Sequence, residues 1–171
     1  MKQSKFTIQY LFFAILFLIS CQTKSQDQKI NQNEITWNPS IDDALAKAKA
    51  NNKLLFVECY SPTCPVCISI EPFFKKSEVA IKYNSSFENF KLDVGKAELV
   101  KFLNARNIYL PSFPQFLFFD GDGKLVHQAE VTTSVKSLNG AADLALNTEK
   151  RADTYKKQYE AGDRNLDFLI N

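Results

Sequence analysis

The feature that most constrains the fold is Leu54-Leu55-Phe56-Val57-Glu58-Cys59-Tyr60, a nearly continuous apolar run closed off by Pro62. A strand with one wet face alternates apolar and polar residues, so an unbroken run of this length predicts a strand buried on both faces. Burial on both faces asks for helices above and below. Ser40 and Asp43 form a capping box ahead of Ile41, Ala44, Leu45 and Ala48, which recur at helical spacing, and Asn51-Asn52-Lys53 stops that helix. A short β-prone piece, Ile35-Thr36-Trp37, precedes it. After the central strand the pattern predicts a helix from Cys64 to about Lys82, a strand over Phe87 to Val94 and a helix over Ala97 to Ala105. Strands over Gln115 to Phe119 and Lys124 to Ala129 follow, separated by the hairpin turn Asp120-Gly121-Asp122-Gly123, and the chain is helical from Ser134 onward. The order β-α-β-α-β-α-β-β-α predicts an α/β fold, a central mixed sheet flanked by helices.

One core suffices for this chain. A single domain takes about 100 to 150 residues, and 171 residues, 45% apolar with 15 Phe and only 5 Gly, suit one packed domain with extensions. Residues 1–20 read as an export signal: Lys2 and Lys5 supply the positive start, and Tyr10 to Ile19 is an uncharged apolar run too short to span a bilayer comfortably. The run ends in Leu18-Ile19-Ser20-Cys21, which resembles a bacterial lipobox and makes Cys21 the expected lipidation site. Residues 21–34 are polar, rich in Gln and Asn, and read as a flexible tether. The folded domain is expected over residues 35–146, with a helical extension over 147–171. Without the two leader lysines the 21 basic residues become 19, matching 19 acidic ones, so nothing points to nucleic acid.

Cys64-Pro65-Val66-Cys67 follows the buried strand and opens a helix, with Pro65 where a first helical turn accepts proline. Thiolate is the attacking species in disulfide exchange, and a helix N-terminus favours it through free amides and the positive end of the dipole. Cys64 is therefore the expected nucleophile, with Cys67, one turn further in, resolving the mixed disulfide. Glu58 is a charged residue inside an apolar strand and needs a reason to be there. Cys59 reads as a small buried hydrophobe. No second cysteine pair or histidine cluster completes a four-ligand zinc site, and no cofactor is called for.

From about Trp37 to Leu146 the chain resembles thioredoxin. The resemblance rests on the C-x-x-C, on Phe113-Pro114 immediately before the strand Gln115 to Phe119, on Glu58 six residues before Cys64, and on Pro72 eight residues after it. It implies a thioredoxin fold, a cis-proline at Pro114 packed against the redox pair, and a kink at Pro72. It also implies that Glu58 accepts a proton from Cys67, and that the loop at Phe113 and Pro114 meets substrate, with Phe113 and Tyr60 flanking the site. The family's usual Trp before the first cysteine is Thr63 here, its Gly-Pro is Pro65-Val66, and the Thr after its cis-proline is Gln115. The expected activity is exchange of dithiol and disulfide with protein substrates, run as a reductase fed by a membrane redox partner, in the cell envelope facing the periplasm. An oxidase or isomerase is the next choice for the direction of exchange, and a copper(I) metallochaperone and a docking module on the same fold are the alternatives from other classes.

Overall fold

The structure is a computed structural model that describes residues 31–165. The leader, Cys21 and the final apolar piece, residues 166–170, lie outside the described residues. The elements in chain order are α1 (Ile41–Ala50), β1 (Leu54–Tyr60), α2 (Pro65–Ile70), a 3-10 turn (Glu71–Lys75), α3 (Ser77–Ser86), β2 (Phe87–Asp93) and α4 (Ala97–Asn104). They continue with β3 (Gln115–Phe119), β4 (Leu125–Glu130), α5 (Val135–Leu146) and α6 (Ala152–Glu160).

The four strands form one mixed sheet in the order β2-β1-β3-β4, with β1 parallel to β2 and antiparallel to β3, and β3 antiparallel to β4. The expected fold class is therefore observed. Side chains alternate across β1: Phe56 joins Ile70, Phe74, Tyr83, Phe116, Phe118 and the inner face of α5 in one layer. Leu55, Val57 and Cys59 join Ile41, Ala44, Ala48, Leu103, Leu117 and Phe119 in the other. This is why the run has no polar alternation, since both of its faces are covered.

Local chemistry sets the boundaries. Ser40 caps α1 by accepting the Asp43 amide at 3.1 Å, and Asn52, at φ 51°, turns the chain out of the helix in the left-handed region that asparagine tolerates. In the hairpin, Asp120 Oδ1 accepts the amides of Asp122 and Lys124 at 3.0 and 2.9 Å, and Gly123 takes φ 77°.

Two expectations are corrected. The helix expected over Cys64 to about Lys82 is broken into α2, the 3-10 turn and α3, because Pro72 has no amide to donate and Lys76 is extended (φ −80°, ψ 127°). The first β piece is a single bridge, Trp37 to Asn89, because the Ile35 amide turns away from the sheet to the Phe74 carbonyl at 3.1 Å.

Candidate active site

The site is assembled where β1 ends and α2 begins. The Cys64 amide donates to the Ser61 carbonyl at 3.1 Å, closing a tight turn that delivers Cys64 as the N-cap of α2 with Pro65 behind it. The Cys64 sulfur accepts the Cys67 amide at 3.4 Å, and it lies 3.7 Å from the Phe113 carbonyl, to which its S–H donates. The Phe113-Pro114 bond is cis, and the Phe113 carbonyl faces the Cys64 sulfur.

The two sulfurs differ in surroundings. Both are free thiols, Cys64 half-buried and Cys67 buried. The Cys67 thiol and the amides of Cys67 and Val66 donate toward Cys64 and hold its thiol below the ordinary range. Burial, with the neighbouring Cys64 sulfur, pushes Cys67 up to about 12. One thiol is thus poised to ionise and its neighbour to keep its proton. Cys59 is buried in the opposite layer, where burial raises its thiol pKa.

Glu58 lies on β1, six residues before Cys64. It is on the same side of the strand as Phe56 and fully buried. Its cross-strand neighbours are Lys91 on β2 and Phe116 on β3. Burial pushes its carboxyl up to about 8, against the opposing pull of the Lys91 ammonium 3.5 Å away. An acid that changes charge near neutral pH is what a proton acceptor for Cys67 requires. Glu58 also raises Cys67 through its own charge, so the two are in electrostatic contact.

Of the flanking residues, Phe113 is 37% exposed and Pro114 is buried. Tyr60 is half-buried, with its ring 5.0 Å from the Lys91 ammonium. Val66 and Ile68, 46% and 58% exposed, extend the apolar surface around Cys64 and were not singled out in the sequence. Neither was Lys91. Its signal was a lone cation in the alternating strand Phe87 to Val94, whose meaning depends on a register the sequence does not display.

Comparison with known proteins agrees with this geometry. Residues 24–143 match the sequence model of the family described as Thioredoxin. Thioredoxin H4 of Arabidopsis thaliana is 33% identical over 82 residues, 48% of this chain, which thereby spans 60% of that curated relative's length. A candidate disulphide-isomerase from Bacteroides thetaiotaomicron, solved in solution, is 28% identical with a TM-score of 0.57 over 70% of this chain and 98% of its own. The structure named DsbH oxidoreductase, 17% identical, shares the fold with a TM-score of 0.55 over 75% of this chain and 99% of its own. With the family match covering most of the chain, and the C-x-x-C, the cis-proline and the buried acid brought together in one place, this chain belongs to the thioredoxin family.

Proposed function

We propose that the chain is an extracytoplasmic thiol:disulfide oxidoreductase that exchanges dithiol and disulfide with protein substrates through Cys64 and Cys67, running as a reductase. The observation that carries this reading is the asymmetry of the pair: an accessible sulfur surrounded by donors, and a buried, proton-holding sulfur electrostatically coupled to a buried carboxyl. The Cys64 thiolate attacks one sulfur of a substrate disulfide, that S–S bond breaks, and the released substrate thiolate takes up a proton. Glu58, as carboxylate, then accepts the proton of Cys67. The Cys67 thiolate attacks Cys64, the mixed disulfide breaks, and the second substrate thiolate leaves. Two electrons pass to the substrate and the protein keeps a Cys64–Cys67 disulfide. Phe113, whose carbonyl meets the Cys64 sulfur, Pro114 and Tyr60 are the residues assigned to substrate contact.

The location is part of the proposal. Cys21 carries the lipid, residues 21–34 act as the tether, and a membrane redox partner returns the electrons. Among the described residues no helix is long and apolar enough to cross a membrane. Metabolic labelling with a radioactive fatty acid tests this arm: the parent takes label, and label retained after Cys21→Ser overturns it. Equilibration of the pair against glutathione buffers tests the direction. A two-electron transition near the thioredoxin value of about −270 mV is expected, and one near about −120 mV contradicts a reductase.

A further inference from the structure

Lys91 is held by more than its neighbour Glu58. Its ammonium lies 5.3, 5.0 and 5.5 Å from the ring centroids of Trp37, Tyr60 and Phe74, three faces that favour it only as a cation. It donates a hydrogen bond to Glu71 Oε1, and it faces Glu58 Oε2 at 3.5 Å, the limit of a hydrogen bond. One cation is therefore shared unequally by two carboxylates, with the closer contact going to the more exposed of them: the Glu71 side chain is 43% exposed and that of Glu58 not at all.

Glu71 is placed for this by the break in the active-site helix. It closes α2 and opens the 3-10 turn, ahead of Pro72 and four residues after Cys67. Residues four apart share one face of a helix, so Glu71 leaves α2 on the side that carries Cys67. The same peptide segment thus fixes the thiol that must lose a proton and the carboxylate that claims the cation beside its acceptor.

We propose that Glu71 is a positioning residue for the exchange reaction: its carboxylate holds the Lys91 ammonium back from Glu58, so that Glu58 can take up and return a proton instead of staying locked as an ion-paired carboxylate. This rests on the reading of Glu58 as proton acceptor for Cys67. Lys91 from β2 and Glu71 from the 3-10 turn act on the Glu58 carboxyl, and Glu58 in turn acts on Cys59 and Tyr60 of its own strand, on Cys67 of α2 and on Tyr83 of α3, while its cross-strand neighbour on β3 is the uncharged Phe116. Within this set Glu71 has two effects of the same sign. Its own negative charge opposes a second one at Glu58, and its bond to Lys91 diverts the charge that favours ionisation.

The test is a carbon-13 NMR titration of the Glu58 side-chain carboxyl in the full chain, run in parallel with the pH profile of the exchange rate, for the parent, Glu71→Gln and Glu71→Asp. In Glu71→Gln the Glu58 midpoint moves down by about one pH unit, and the inflection in rate moves with it. Glu71→Asp, which keeps the charge on a shorter arm, moves both in the same direction by less. A merely structural loss lowers thermal stability but leaves both midpoints in place. A Glu58 midpoint that is unchanged or raised in Glu71→Gln overturns this proposal and leaves the acceptor reading standing. A midpoint that falls while the rate inflection stays put overturns the acceptor reading, and with it the role of Glu71 in exchange.

Discussion

At the scale of single residues, the chemistry depends on a carboxyl that the fold makes hard to ionise. Glu58→Gln keeps the shape and removes the proposed proton acceptor, so the step that needs Cys67 deprotonated is expected to slow by roughly 10 to 100-fold. Below about pH 8 the carboxylate fraction and the free thiolate fraction both rise with pH, so the slowing is constant there. Above it Glu58 is fully ionised while the Cys67 thiolate keeps increasing, and the deficit shrinks. Rapid-mixing kinetics from about pH 6 to 9 check this, and superimposable profiles sink the assignment. The same group leaves a mark on stability. Its folded value, about 8, exceeds the ordinary 4.5, so the native state binds the extra proton. The stability tied to that proton is therefore fully present below about pH 4.5 and is withdrawn as pH rises through about 8, by up to about 1.4 kcal/mol per pH unit. Denaturant titrations of Glu58→Gln should show a flatter fall across that window. Cys64, Cys67 and Glu58 were legible because each breaks a local rule, a thiol pair at a helix start or a charge in an apolar strand. Lys91 and Glu71 break none, and only the β1–β2 register and the end of α2 bring them to Glu58.

At the scale of elements, the loop that faces Cys64 is pinned from the far side by β4. Gln128 Nε2 donates to the Tyr109 carbonyl at 3.1 Å and to Gln115 Oε1 at 2.6 Å, Gln115 Nε2 donates to the Ala129 carbonyl at 3.2 Å, and Ser112 Oγ donates to Glu130 Oε1 at 3.0 Å. Gln115 is 1% exposed, so its amide cannot turn to water for a partner. Gln128→Leu leaves that buried oxygen unpaired and costs about 1 to 3 kcal/mol, measured as a fall in the urea midpoint with unchanged slope. A midpoint equal to the parent's means that the loop is held by packing alone. The long amide at 115, in place of the family's usual Thr, was visible in the sequence, but its use was not, because its partners come from the next strand of the hairpin. The division of the helix after Cys64 was legible only as the kink at Pro72 that the resemblance implies. Ile70, Phe73 and Phe74 keep near-helical spacing across the 3-10 turn, so periodicity does not register the change of winding that Pro72 imposes.

At the scale of the whole molecule, the sheet order follows from a chain that adds a parallel strand on one side of β1 and an antiparallel hairpin on the other; the mixed sheet, its central strand and the hairpin were legible from run lengths and turn residues, and the strand order was not. The sheet margins were less legible. Trp37 and Asn38 lie along β2, where the Asn38 amide reaches the Asn89 carbonyl at 2.8 Å. On the other margin α6 packs on β4, and the Ala152 amide donates to His127 Nδ1 at 3.2 Å. Such cover protects edges that would otherwise pair with other chains. Between these margins the fold presents two sulfurs in unequal surroundings, and acid-quenched trapping in the cell's own compartment separates their proposed tasks. Cys67→Ser keeps the attacking Cys64 thiolate but lacks the thiol that releases the substrate from the mixed disulfide, so it should carry covalent, dithiothreitol-sensitive protein adducts, and Cys64→Ser few. Equal trapping by both variants, or by neither, contradicts exchange through an attacking Cys64 and a resolving Cys67.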